Sequence, residues 1–109
     1  MAKEIPLSWP YKPVIGGCKV KKIVDVTDDC PSIKLEGRQC IIVYFHVDGR
    51  GDIVEFSVPY ENGKYVGVSV FYEMKDLSGL FSVLKSSVIS LGLSDDEIRT
   101  LIHSNAPKF

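Results

Sequence analysis

The chain is poor in the residues that build catalytic and metal centres. Its 109 residues hold three cysteines and two histidines. Cys18, Cys30, Cys40 and His46 include no C-x-x-C pair, the close spacing that structural zinc sites show, so no metal site is expected. An odd number of cysteines fits reduced thiols better than a disulfide framework. A cysteine nucleophile would need a histidine base, and neither His46 nor His103 stands in a recognisable catalytic context. No phosphate loop and no G-x-G-x-x-G run is present. Asp25, Asp28 and Asp29 lack the register of a calcium loop and read as a solvated acidic turn. Arg50-Gly51-Asp52 reads as hairpin chemistry. The chain is therefore expected to be no enzyme and to carry no cofactor.

Excess charge is missing as well. Thirteen basic against fourteen acidic residues give a formal net charge of -1, so nucleic-acid binding by bulk charge is not indicated and would need a local basic patch. No run of eighteen apolar residues exists, which argues against a transmembrane helix. The first ten residues lack the apolar stretch of a signal peptide. The expected compartment is the cytoplasm, of the parent cell or of a host cell.

What the chain does have is turn grammar. Residues 38–72 read as three antiparallel strands joined at Asp48-Gly49, with Gly51 just after, and at Asn62-Gly63. These dipeptides supply the positive φ angles that tight hairpins demand. In the first strand of this run, Ile41, Val43, Phe45 and Val47 share one face, and Cys40, Ile42, Tyr44 and His46 the other. Apolar residues on both faces predict a central strand covered on both sides. Next, Val54, Phe56, Val58 and Tyr60 are expected inward, with Glu55 and Ser57 outward. In the third strand, Val66, Val68, Val70 and Tyr72 oppose Tyr65, Gly67, Ser69 and Phe71.

Upstream, Pro6, Pro10 and Pro13 exclude a helix and predict an extended arm over 1–13. Its Trp9 and Tyr11 either tuck against the core or present a stacking platform. Gly16-Gly17 marks a turn. A strand over 18–27 alternates except at Lys22, which a bulge near Lys21 and Lys22 or a snorkelling stem would explain. A polar loop over 27–37 follows, in which 32–35 could add a short strand.

Downstream the period changes. Leu77, Leu80, Phe81, Leu84, Val88 and Leu91 recur at helical spacing, with Asp76 as N-cap and Gly92 as the stop. A second helix opens on the capping box Ser94/Glu97, carries Ile98, Leu101 and Ile102 on its apolar stripe, and ends near Asn105. The expected fold is one α+β domain, mainly β: a small antiparallel barrel or curled meander of four or five strands over 14–73, OB-like, followed by a C-terminal helical hairpin over 76–105.

Three phrases set a resemblance. Pro13-Val14-Ile15-Gly16 precedes the first strand, Phe45-His46-Val47-Asp48-Gly49 ends the central one, and Leu91-Gly92-Leu93 closes a helix. Over about 13–93 this layout resembles small phage-type single-stranded DNA-binding proteins with an OB-like barrel. The family's acidic tail has no counterpart in Ala106 to Phe109, so tail-mediated recruitment is not expected.

Single-strand binders combine a basic groove with aromatic faces on which bases stack. The candidate contacts are Lys19, Lys21, Lys34, Arg38 and Lys64 for phosphates, and Trp9, Tyr44 and Tyr65 for bases. The alternative is a small protein-interaction module, a viral or plasmid-type inhibitor or adaptor. It would dimerise through a sheet edge or the N-terminal arm, or bind another protein. The two separate on whether Tyr44 lies open or under the C-terminal helices.

Overall fold

The structure, a computed structural model, describes residues 2–9, 16–58, 68–76, 82–85 and 93–108. Six strands, β1 (Lys3–Ile5), β2 (Cys18–Asp25), β3 (Ile41–Val47), β4 (Gly51–Val58), β5 (Val68–Glu73) and β6 (Ser82–Lys85), form one antiparallel sheet in the order β1-β2-β3-β4-β5-β6. Each strand pairs with its neighbour in sequence. The expected α+β, mainly β class holds, but among the described residues β1 and β6 do not pair, so the sheet is open and not a barrel.

Alternation along β3 builds two cores, one on each face. Ile42 and Tyr44 join Val24, Val26, Cys30, Ile33, Cys40, Val54, Phe56 and Val58, and α2 (Asp95–Asn105) lays Ile98 and Ile102 over them. On the other face Ile41, Val43, Phe45 and Val47 pack with Ile23, Ile53 and Phe71, and Phe71 meets Phe45 edge to face at 6.3 Å. The expectation of a central strand covered on both sides is met.

The second core corrects the reading of β4. Glu55 and Ser57, expected to face outward, are 2% and 1% exposed. Their cross-strand partners explain it: Glu55 lies between Val43 and Phe71, and Ser57 beside Ile41, so both point into the second layer. A sheet buried on both sides leaves no wet face for the polar half of an alternating strand.

Lys22 is explained by the bulge. The β2–β3 register shifts between Val20 and Lys22. Upstream of the shift Cys18 and Val20 pack with the Ile23 core, and downstream Val24 and Val26 enter the Tyr44 core. One extra residue swaps the faces, as a one-residue slip must.

Three other expectations change. The arm is partly a strand, since Lys3–Ile5 pairs with β2 as an edge. Residues 32–35 form no strand but belong to the one-turn helix α1 (Pro31–Leu35). Pro31 stands at the first helical position, where its missing N–H costs nothing. Gly37, at φ +70°, stops the helix: its N–H donates to Lys34 O and that of Arg38 to Ile33 O, both at 3.0 Å. This is a Schellman closure. The third change concerns the first predicted helix. Asp76 ends a 3₁₀ turn, Met74–Asp76, instead of capping a helix, and Ser82–Lys85 is β6, paired with β5. The spacing of Leu80, Phe81 and Leu84 fits a short strand as well as a helix, and an open sheet edge offers the backbone partners that decide it. The rest of that predicted helix, the Asn62-Gly63 turn and Tyr60 lie outside the described residues. The C-terminal hairpin thus reduces, in what is described, to α2. The expected four or five strands over 14–73 are met by β2 to β5, and β1 and β6 extend the sheet on either side.

The α2 expectation is met in detail. Glu97 N–H donates to Ser94 Oγ and Ser94 N–H to Glu97 Oε1, both at 3.2 Å. The Asp48-Gly49 turn is also met: Arg50 N–H donates to Val47 O at 3.0 Å, and Gly49 takes φ +79°. Among the described residues no helix is long and apolar enough to cross a membrane.

Candidate functional site

The position of Tyr44 decides how the sheet can be used. Its ring is fully buried in the core beneath α2, and its hydroxyl donates to Ile102 O at 2.8 Å. Ile102 carries one of the last four carbonyls of α2, which have no partner inside the helix. Tyr44 therefore caps the C-terminal end of α2 from below, and Asn105 Nδ2 takes Leu101 O at 2.9 Å. Burial pushes the Tyr44 phenol above its ordinary range. The role expected for Tyr44 in stacking bases does not fit this placement, because no ring face is open.

The other expected contacts do not converge. Trp9 is half-buried against the Ile23 core, the tucked arrangement. Lys34 is engaged by Asp28 at 2.9 Å and Arg38 by Glu36. Lys19 and Lys21 are exposed on β2, but they do not share a face as alternation implies. Lys19 pairs across to His46, whereas Lys21 is the extra residue of the bulge. Lys64 and Tyr65 lie outside the described residues.

The cysteines are packing residues in their surroundings. Cys30 and Cys40 are fully buried in the core under α2. A hydrogen bond to Cys30, with burial adding to it, pushes the Cys40 thiol far above the usual thiol range. Cys40 and His46 stand six residues apart along an extended chain, roughly 20 Å. Cys18 packs on the face opposite His46. His46 Nδ1 instead lies 2.8 Å from Asp52 Oδ1, at the hairpin end where Arg50 and Lys75 reach Glu73 at 3.8 and 3.6 Å. Among the described residues no three His, Cys, Asp or Glu side chains group as metal ligands.

Asp25, expected in a solvated acidic turn, is instead a site of order. Thr27 N–H and Thr27 Oγ1 donate to its Oδ1 at 2.9 and 2.6 Å, and Gln39 Nε2 donates to Oδ2 at 2.9 Å. Thr27 Oγ1 in turn accepts from Cys40 N–H at 2.9 Å. Burial alone would raise the Asp25 carboxyl, but these hydrogen bonds outweigh it and hold the group below the ordinary carboxylate value. The Asp-x-Thr spacing is the signal that could have revealed it.

Among the described residues there is a surface concavity. Asp29, in the 3₁₀ turn Thr27–Asp29, and Asp96, Glu97, Thr100 and Leu101 of α2 line an open cleft of about 290 Å³. Its walls are mostly apolar, with Leu101 half-buried against the core. The carboxylates reach it because the capping box fixes the first turn of α2, which is rich in acidic residues, beside the loop that Asp25 organises. Nothing local in the sequence places Asp29 beside Asp96 and Glu97, which lie far from it along the chain.

Comparison with known proteins gives no further guide: no family model, no curated protein and no solved structure matches the chain.

Proposed function

We propose that this chain is a non-enzymatic protein-interaction module. The observation that carries the reading is the burial of Tyr44. The helix that would have to be absent for a base to stack on the sheet is docked there through a hydrogen bond and two isoleucines. Of the expected nucleic-acid contacts that are described, Lys19 and Lys21 are the exposed cations with no ion pair to another described residue, and two lysines make a weak electrostatic footprint.

The acidic cleft adds support. It would repel phosphate, whereas an open, mostly apolar groove beside a docked helix suits a protein segment. The packing of Cys30 and Cys40 and the distance between Cys40 and His46 support the absence of thiol catalysis. The test is affinity capture from cells producing the tagged chain, with the captured complex sized in solution. The expected result is one stoichiometric complex, with another protein or a second copy, that survives nuclease treatment. A strictly monomeric chain with no partner, or a complex that nuclease dissolves, would overturn the reading.

A further inference from the structure

We infer that Cys30 and Cys40 form a redox site: a small-molecule disulfide such as oxidised glutathione converts the pair into an intramolecular disulfide that ties the entry of α1 to the entry of β3. The inference does not depend on the interaction-module reading.

Three features of the fold bring these two sulfurs together. The first is a shared anchor, Thr27. Cys30 N–H donates to its carbonyl oxygen at 3.0 Å, and Cys40 N–H to its hydroxyl oxygen at 2.9 Å. Thr27 is itself fixed by Asp25, which also holds Gln39, the neighbour of Cys40. The second is a shared destination. Both side chains are fully buried in the core under α2, and their thiols are hydrogen-bonded to each other. With the backbones already held on one residue, the sulfurs close to bonding distance without rearranging the strands. The third is the place of Cys18, which packs with the Ile23 core on the other face of the sheet. The odd count thus divides into one pair and one separate thiol.

The exchange balances with the reagent alone. The hydrogen bond from Cys40 lowers the Cys30 thiol and raises that of Cys40, so Cys30 supplies the thiolate. It attacks one sulfur of the reagent, expels the first half as a thiolate and leaves a mixed disulfide. Cys40 then loses its proton and attacks Cys30 Sγ, and the second half departs. The two protons end on the two departing thiolates. The protein pair is oxidised by two electrons, and the reagent is reduced to two thiols. Because both sulfurs are buried, the first attack waits on a local opening of the loop, and mild urea should speed it. The bond encloses residues 31–39. Closing a loop of that length should lower the unfolding equilibrium constant by roughly a hundredfold.

The test incubates the full chain in glutathione buffers of rising oxidised fraction, at urea below the unfolding transition, quenches with acid and maps peptides without reduction. The expected product has lost two hydrogens and links Cys30 to Cys40, with Cys18 free or carrying glutathione. Its urea transition should lie above that of the reduced chain, and dithiothreitol should abolish the difference. Cys18→Ala should give the same link and the same shift, whereas Cys40→Ala should gain no stability from oxidised glutathione. If Cys40→Ala does not fold, the Cys18→Ala map decides alone. A link that includes Cys18, or glutathione adducts at Cys30 and Cys40 in place of the link, would overturn the inference. So would thiols unchanged at the most oxidising ratio, or a cross-linked chain less stable than the reduced one.

Discussion

The two ends of strand β3 are built to opposite purposes. At Tyr44 the strand is sealed: the ring is fully buried, its hydroxyl is tied to α2, and Ile98 and Ile102 close the layer above. At His46, two residues on and on the same face, the side chains are half exposed and polar, with His46 against Asp52 and Lys19 alongside. The difference is the reach of α2, whose eleven residues cover one end of the face and leave the other to water. An aromatic on a strand is thus a poor guide to a binding face until the covering helix is placed.

The largest effect should come from the sealed end. Ile102→Ala removes a fully buried side chain and should cost about 2–5 kcal/mol in urea unfolding. A cost near zero would mean that α2 is not docked over the sheet. Tyr44→Phe keeps the ring but leaves the Ile102 carbonyl unpartnered, for an expected loss of about 1–2 kcal/mol. If the two substitutions add without coupling, the hydroxyl and the helix are independent and the sealed end is wrongly drawn.

Asp25, which braces the loop below the cleft, should shape the acid limb of stability. Its carboxyl is held below the ordinary value in the folded chain, first against burial and then by the hydrogen bonds from Thr27 and Gln39 that outweigh it. The stabilisation is therefore complete above the unfolded value, about 3.9, and is lost as pH falls through the lower folded value. Asp25→Asn should flatten the acid limb of a stability profile recorded from neutral pH downward. An unchanged acid limb would remove Asp25 from the account. The smallest effect belongs to the open end, where Asp52→Asn should cost less than about 1 kcal/mol because the pair with His46 is half exposed and screened. A loss as large as that of Ile102→Ala would erase the contrast between the two ends.

Much of the sheet was legible because its signals are local. Alternation in β3, the Asp48-Gly49 turn, the displaced face at Lys22 and the Ser94/Glu97 box each rest on a few adjacent residues, and all four appear as read. What failed depended on partners distant in sequence. Glu55 and Ser57 looked outward because nothing in β4 announces a second core. The apolar spacing around Leu84 suited two periods, and an unpaired edge of β5 decided between them. In α1 the helical stop sits in Gly37, after the residues that suggested a strand. The surroundings of the candidate contacts were illegible for the same reason: Lys34 and Arg38 are basic in sequence but find Asp28 and Glu36 in space. The cleft was invisible, because Asp29 and Asp96 meet only when a loop and a helix far apart in the chain are brought together.

The most direct test of the sealed face is a mobility-shift series with labelled single-stranded DNA and RNA, from low to high salt at micromolar protein. The account predicts no saturable binding even at low salt, because Tyr44 is sealed under α2 and the carboxylates beside α2 oppose phosphate. Saturable binding that weakens steeply with salt and disappears on substitution of Lys19 and Lys21 would contradict it.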